Sequence, residues 1–548
     1  MKRARSSFEL DSQDAVAWGR GGSSTGDLVL DVEVGGIGSG RGRVGSRGSQ
    51  RQGNLFVDGP KTLDDMMSWP AAGLAALHRT DCTMGTQLMM RFCKTFERGI
   101  VITTSYSGMG TAEAAVSMLS AEVASSLDCP KRVVIQSACD SSDVSQRCLV
   151  AHGSASRAKH IFTDVLDVLY EDDKVYLLKM QEDILSAADD NDKEDINAAR
   201  KQKGIRLRRA IIAALKKIKF RPDAYCTLHK QRCVIDAREE DPELAGSLHV
   251  EIAGNTCTPW STAGVRHGWC HRCTLPCLVW AMTQKRLGKD VIINECTPTW
   301  EAEVLDAEIF QDLAMPNAKK YTFHSFCFNA TSMGIPASRD RKWSLWLRKP
   351  SEPPLPPFGD IFFRRLMCSS ATFLVATEEM IQEDLLCRAK NALHLDKESI
   401  EALQIRDIKS VLAPGDLARL QDWIAEAVRR NLVWTTDSGK LESNLSSVMV
   451  DMSQNVGFSS IGVDVSIPLK RSAELFDLIQ DRPCHIFECM LMHGFPMPGL
   501  VAQQHSRHFP FPELLAGGSG TRREWKSLCG NGMLVQVVGA MILYALVM

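Results

Sequence analysis

The run Ile100-Val101-Ile102-Thr103-Thr104 is β-branched at every position, and it constrains the fold more than any other stretch of the chain. Branching at Cβ stiffens the first side-chain torsion, so five such residues in succession read as a strand buried on both faces. The next twenty residues make a unit of it. Ser107-Gly108-Met109-Gly110 is a tight glycine turn, Thr111 is the expected N-cap, and residues 112–126 form an alanine-rich helix. Strand, glycine turn and helix N-terminus together make a site for a nucleotide-like ligand, because free backbone N–H groups and the helix dipole converge there.

The alternation continues. Residues 132–138 form a second strand with Asp140 just past its end, and His160-Ile161-Phe162 forms a third that leads to Asp164. Each acid suits a cap or turn as well as a ligand hydroxyl. Leu248-His249-Val250-Glu251-Ile252-Ala253 is a further strand, closing on the loop Gly254-Asn255-Thr256-Cys257-Thr258-Pro259-Trp260-Ser261. A helix is expected over 275–287, then the strand Asp290-Val291-Ile292-Ile293-Asn294-Glu295, a helix over 301–313, and strands over 321–328 and 343–347. This order predicts an α/β fold, a doubly wound and mostly parallel sheet. Open sheets of that kind bind ligands past the carboxyl ends of their strands, which is where Cys257 falls. Taken alone, Cys257 is more simply read as a small buried hydrophobe, Glu295 as a strand-end salt bridge, and Arg339 and Arg341 as a surface pair.

Around this core the chain divides. At 548 residues, 44% hydrophobic and 24% charged, it is long enough for two to four domains. Residues 1–95, with Gly35-Gly36-Ile37-Gly38-Ser39-Gly40-Arg41-Gly42-Arg43, read as a disordered leader. Residues 96–350 are the sheet domain, with a charged helical insertion at about 170–220 whose basic run 206–217 is a solvated or phosphate-contacting face. The prolines of 353–357 mark a boundary before a second domain of mixed character, 351–480. A net charge of −2 gives no overall field for nucleic acid, so such binding needs a local basic face. Eighteen cysteines without regular spacing indicate a reducing compartment. The apolar residues 533–548 are short for a bilayer and are expected to be a core helix, so no membrane partner is expected.

Cys226-x-x-His229-x-x-x-Cys233 and Cys270-His271-x-Cys273-x-x-x-Cys277 offer soft ligands. A zinc site drawing on both runs is open, but neither spacing is the paired Cys-x-x-Cys of familiar zinc knuckles, so no metal is expected.

In order along the chain, these pieces resemble the cytosine-5 DNA methyltransferase family, through short motifs scattered over residues 99–548. Tyr106-Ser107-Gly108-Met109-Gly110 is similar to the family's Phe-Ser-Gly-x-Gly cofactor turn. Cys257-Thr258-Pro259-Trp260-Ser261 is similar to its Cys-Gln-Pro-Phe-Ser loop, whose Cys is the nucleophile. Glu295 matches the Glu of Glu-Asn-Val, and Gly334-x-Pro336-x-x-Arg339-x-Arg341 resembles Gly-x-Pro-Gln-x-Arg-x-Arg. Near the end, His493-Gly494-Phe495-Pro496 resembles Gln-Gly-Phe-Pro, and Gly530-Asn531-Gly532 the final Gly-Asn-Ala segment, which in the family returns to the cofactor.

The resemblance implies a Rossmann-like methyltransferase fold with S-adenosylmethionine as cofactor. It gives Tyr106, Ser107, Gly108, Gly110, Asp140, Asp164 and Asn531 to the cofactor, and Cys257, Glu295, Arg339 and Arg341 to catalysis. Residues 351–480 become the target-recognition domain, and 481–548 a segment returning to the catalytic domain. DNA is the expected partner with RNA as the alternative, the nucleus the expected location, and a monomer the expected state. The departures are Thr104 for the family's acid, Thr256 for the Pro before the nucleophile, Cys296-Thr297 for Asn-Val, Ala337 for Gln, Phe487 for the Arg of the late motif, and a longer insertion before Cys257.

Overall fold

A computed structural model describes residues 57–79, 82–127, 133–187, 196–261, 266–313, 321–348, 355–393, 412–516 and 521–548. Its centre is a nine-stranded sheet in the order β5-β4-β3-β2-β1-β6-β7-β9-β8. The strands are β1 (Ile100–Ser105), β2 (Val133–Cys139), β3 (His160–Phe162), β4 (Asp223–Cys226), β5 (Gln231–Val234), β6 (Leu248–Gly254), β7 (Val291–Cys296), β8 (Thr322–Asn329) and β9 (Asp340–Leu347). β3, β2, β1, β6 and β7 pair in parallel. β4 and β5 add an antiparallel hairpin at one edge, and β9 runs antiparallel between β7 and β8 at the other. The mostly parallel sheet expected from the sequence is therefore present. Its order reverses at β1, which has β2 on one side and β6 on the other.

Every residue of β1 and of β7 is buried. That burial explains continuous rather than alternating apolar runs, since helices cover both faces of a parallel sheet. Ile102, Val250, Ile252 and Ile293 face the core formed with helices Thr111–Ser126 and Val535–Val547. Ile292 and Trp346 face the opposite core, with helices Thr274–Leu287 and Ile196–Leu215. Thr111 is the first residue of its helix and not its cap. The cap is Gly110, in the left-handed region at φ 84°, with no side-chain bond, and Thr111 is buried instead.

Two expectations about flanking segments change. Within the stretch read as a leader to residue 95, helices occupy Leu63–Met67, Trp69–Arg79 and Cys82–Arg98. Leu74 and Leu77, then Leu88, Phe92 and Phe96, recur at helical spacing and are buried against the C-terminal helix. Residues 1–56 of that stretch lie outside the described residues. The insertion, helices Glu171–Ser186 and Ile196–Leu215, turns Leu207, Ile211 and Leu215 inward. Arg208 of its basic run is buried and gives Glu308 a two-pronged ion pair at 2.7 and 2.8 Å.

Residues 355–483 include a second core around Leu420, Trp423, Val448, Val450 and Phe476, with a small antiparallel sheet over it. The chain then rejoins the main core through helix Ile486–Met492. Helix Val535–Val547 is buried at every residue. Among the described residues the stretch Arg522–Val547 is long and apolar enough to cross a membrane, yet 89% of its apolar window is buried inside the fold.

Candidate active site

Past β1 the chain enters left-handed conformations at Tyr106 (φ 55°), Gly108 (φ 58°) and Gly110 (φ 84°). Ser107 ties this turn to β2. Its N–H donates to the Cys139 carbonyl at 3.1 Å, and its Oγ accepts from the Cys139 N–H at 3.2 Å. The two glycines serve different ends. A Cβ on Gly110 would strike the His152 imidazole, whereas one on Gly108 would meet nothing within 4 Å among the described residues, so the turn is open there. Beneath it, Thr104 is 2.7 Å from the Ser107 hydroxyl and donates to Glu113. Burial pushes the Glu113 carboxyl up to about 7, against the bond from Thr104.

Asp140 and Asp164 stand past the ends of β2 and β3. Asp140 accepts from the Gly108 N–H through Oδ2 and from the Ser142 N–H through Oδ1, both at 2.9 Å. Asp164 Oδ1 accepts from the Leu166 N–H at 2.9 Å, capping a short helical turn. Burial raises both carboxyls above the usual carboxylate value. Asp140 thus touches the glycine turn directly, and Asp164 lies one strand further out.

On the other side of β1, the loop after β6 carries Cys257. The Asn255 N–H donates to the Glu295 carbonyl at 3.1 Å, and the Cys257 carbonyl accepts from the N–H groups of Trp260 and Ser261 at 2.9 and 2.8 Å. Trp260 packs edge-on against Trp269 and Trp300, which fixes the far end of the loop. Cys257 itself is half-buried. Tyr106, Asn255, Thr256, Pro259 and Cys273 line one crevice, so the glycine turn and the Cys257 loop share a wall.

Glu295 sits in β7 directly beside Gly254 of β6 and opposite Trp343 of β9. Its Oε1 is 2.5 Å from Arg341 Nε. Arg339 is buried, 5% exposed. Its Nη2 donates to the Gly532 carbonyl at 2.5 Å, while Nε and Nη1 have no hydrogen-bond partner among the described residues. Burial pulls its guanidinium down to about 9, Arg341 acts in the same direction, and Glu295 and Cys257 act against them. The Gly532 contact brings the C-terminal motif into the site. A Cβ there would lie 3.0 Å from Met109 and 3.6 Å from His493. His493 Nδ1 bonds the Met533 carbonyl at 3.0 Å, and burial holds its imidazole down at about 3, hence neutral. Asn531 is exposed at the end of helix Arg522–Asn531, one residue from that contact.

The structure thus brings Cys257, Glu295, Arg339 and Arg341 to one end of the sheet, with Tyr106, Ser107, Gly108 and Gly110 across the reversal point. Glu113 was missed from sequence. It lies in an alanine-rich helix with nothing local to mark it, and only burial makes it unusual. The two soft-ligand runs do not combine. Cys273 and Cys277 line the crevice beside the Cys257 loop, whereas Cys226, His229 and Cys233 gather with His160.

No protein-family model matches the chain, and no curated protein sequence matches it. Solved structures do resemble it. The methyltransferase EhMeth of Entamoeba histolytica is 11% identical, aligned over 82% of this chain and 98% of its own at a TM-score of 0.36. The Dnmt2 methyltransferase of S. pombe is 12% identical over 81% and 98% at 0.37. A DNA modification methyltransferase encoded within an E. coli prophage is 10% identical over 81% and 98% at 0.38.

Proposed function

We propose that this chain is an S-adenosylmethionine-dependent cytosine-5 methyltransferase of nucleic acid, with DNA as its substrate and a nuclear location to match. The observation that carries the proposal is the meeting of Cys257, the Glu295–Arg341 pair and the buried Arg339 across one strand from the glycine turn. The turn suits the cofactor, because Gly108 faces open space and stands at the N-terminus of helix Thr111–Ser126. Tyr106, Ser107, Gly108 and Gly110 would shape its seat, Asp140 and Asp164 would hold the ribose and the adenine amine, and Asn531 would close the rim. When bound, S-adenosylmethionine supplies an electrophilic methyl group for carbon 5 of the base.

The chain's residues make carbon 5 able to take it, since that carbon is a poor nucleophile. The Cys257 thiolate adds to carbon 6, and the ring electrons move toward carbon 5. Glu295 shares a proton with ring nitrogen 3, so the ring does not carry the added charge alone. After carbon 5 is methylated, its proton passes to a water molecule, and the C–H electron pair restores the double bond and expels the Cys257 thiolate, which returns unchanged. Arg341 sets a positive charge 2.5 Å from the Glu295 carboxylate. The unpartnered Nε and Nη1 of Arg339 remain as donors to the base and its adduct. A base stacked in a duplex cannot reach this geometry, so it must be flipped out or single-stranded.

The test is transfer of a tritiated methyl group to duplex DNA and to tRNA, beside Cys257→Ala and Glu295→Gln. Cys257→Ala abolishes incorporation, Glu295→Gln lowers it by about 100-fold or more, and both keep cofactor affinity. A DNA oligonucleotide containing 5-fluorocytosine traps the native protein covalently, because the fluorine cannot leave as a proton does. Undiminished turnover by Cys257→Ala rejects the mechanism, and preferential labelling of tRNA moves the substrate to RNA.

A further inference from the structure

At the sheet edge remote from Cys257, four side chains from two separate segments converge. His160 lies on β3, Cys226 ends β4, His229 is in the β4–β5 turn and Cys233 is on β5. One ligand atom from each lies within 4.8 Å of all the others. His229 Nδ1 is 3.6 Å from the Cys226 sulfur and 3.4 Å from the Cys233 sulfur. Tetrahedral zinc with bonds of about 2.3 Å to sulfur and 2.0–2.1 Å to nitrogen sets its sulfur and nitrogen ligands about 3.6 Å apart. The hairpin register brings the two sulfurs to one side. Cys226 pairs with Gln231 and Ala224 with Cys233, so the two thiols share a face as diagonal neighbours.

Two further features point to an ion. His160 is 5% exposed. Its Nε2 lies 3.0 Å from both carboxylate oxygens of Glu240, while its Nδ1 is buried with no hydrogen-bond partner among the described residues. A carboxylate behind an imidazole is how proteins orient histidine ligands, and an orphaned buried nitrogen calls for a partner. The Ile161 N–H also points at the Cys226 sulfur from 3.4 Å. Finally, the hydrophobic core at this edge is small. The core beneath it contains Cys139, Phe162, Ala224 and Cys226 as its buried members, and the hairpin strands are four residues each.

We propose that His160, Cys226, His229 and Cys233 bind one structural zinc ion that clips the β4–β5 hairpin to β3. With four protein ligands the site is closed to substrate, and an S2N2 tetrahedral donor set selects zinc. The ion holds His160 at the start of β3, the strand that leads to Asp164, so it steadies that edge of the sheet and takes no part in the chemistry at Cys257.

The experiment is metal analysis of the full-length protein purified without chelator, followed by exchange of zinc for cobalt(II). One zinc per chain is expected, and cobalt should give the visible bands of a tetrahedral thiolate site. The double variant Cys226→Ser/Cys233→Ser should lose the metal. His229→Ala, at an exposed turn position outside the hydrophobic core, should weaken zinc binding and alter the cobalt spectrum. Glu240→Gln should weaken zinc binding by about 10-fold or more, whereas Cys270→Ser/Cys273→Ser should retain one zinc. A wild-type chain that takes up no zinc against a weak chelator overturns the proposal. So does full zinc content in the Cys226/Cys233 variant, or a cobalt spectrum that responds to Cys270 and Cys273 and not to His229. Should the double cysteine variant fail to fold, the wild-type stoichiometry and the His229→Ala spectrum decide.

Discussion

Glu113 and Arg339 are opposite charges placed where water scarcely reaches, and they behave differently. Arg339 retains a bond to Gly532 and keeps two nitrogens for whatever enters the site. Glu113 has only the Thr104 hydroxyl and a neighbouring turn, so burial dominates and its carboxyl titrates near 7 instead of the ordinary 4.5. The folded state therefore holds a proton that the unfolded state has already lost between those values. The stability it contributes is complete below pH 4.5 and is lost as pH rises through 7, by about 3 kcal/mol in all. Glu113→Gln keeps the shape without the ionisation. Its urea midpoint should exceed that of the wild type at pH 8 and converge with it near pH 4.5. Equal midpoints at both pH values would contradict the burial account. No local pattern betrays Glu113, whereas Cys257, Glu295, Arg339 and Arg341 stood out because the motifs that carry them resemble those of a known family.

Among the elements, the C-terminal helix Val535–Val547 has the tightest fit. Gly539 lets the Trp69 indole approach it closely, and a Cβ at that position would come within 2.0 Å of the ring. Alanine gains up to about 1 kcal/mol in helix propensity over glycine. Overpacking a ring that cannot move costs about 1–3 kcal/mol, and it wins. Gly539→Ala should lower the melting temperature, and a rise would show that helix Trp69–Arg79 yields easily. The strands were the most legible elements, since burial on both faces leaves an unbroken apolar run. The helices before Gly99 were not, because the glycine-rich composition upstream masked the helical spacing of Leu88, Phe92 and Phe96.

At the scale of the whole molecule, the described parts of the chain are interlocked. The last helix packs between helices Trp69–Arg79, Cys82–Arg98 and Thr111–Ser126, with Thr95 Oγ1 donating to the Leu546 carbonyl at 3.2 Å. Its large buried side chains represent gross burial on the order of 10–20 kcal/mol, as much as the 5–15 kcal/mol net stability typical of a folded protein. A chain ending at residue 534 should not accumulate in a folded, soluble form; one that did, with native circular dichroism, would refute this interdependence. From sequence come the α/β class and the strand and turn positions, because these derive from local sterics and periodicity, while the reactive residues came from motifs that resemble a known family. Sheet order is different. The insertion of β9 between β7 and β8, which presents Arg341 to Glu295, was decided by tertiary packing, as was the meeting of His160 with Cys226. Contacts between distant segments depend on which strands become neighbours, and no single stretch of sequence carries that information.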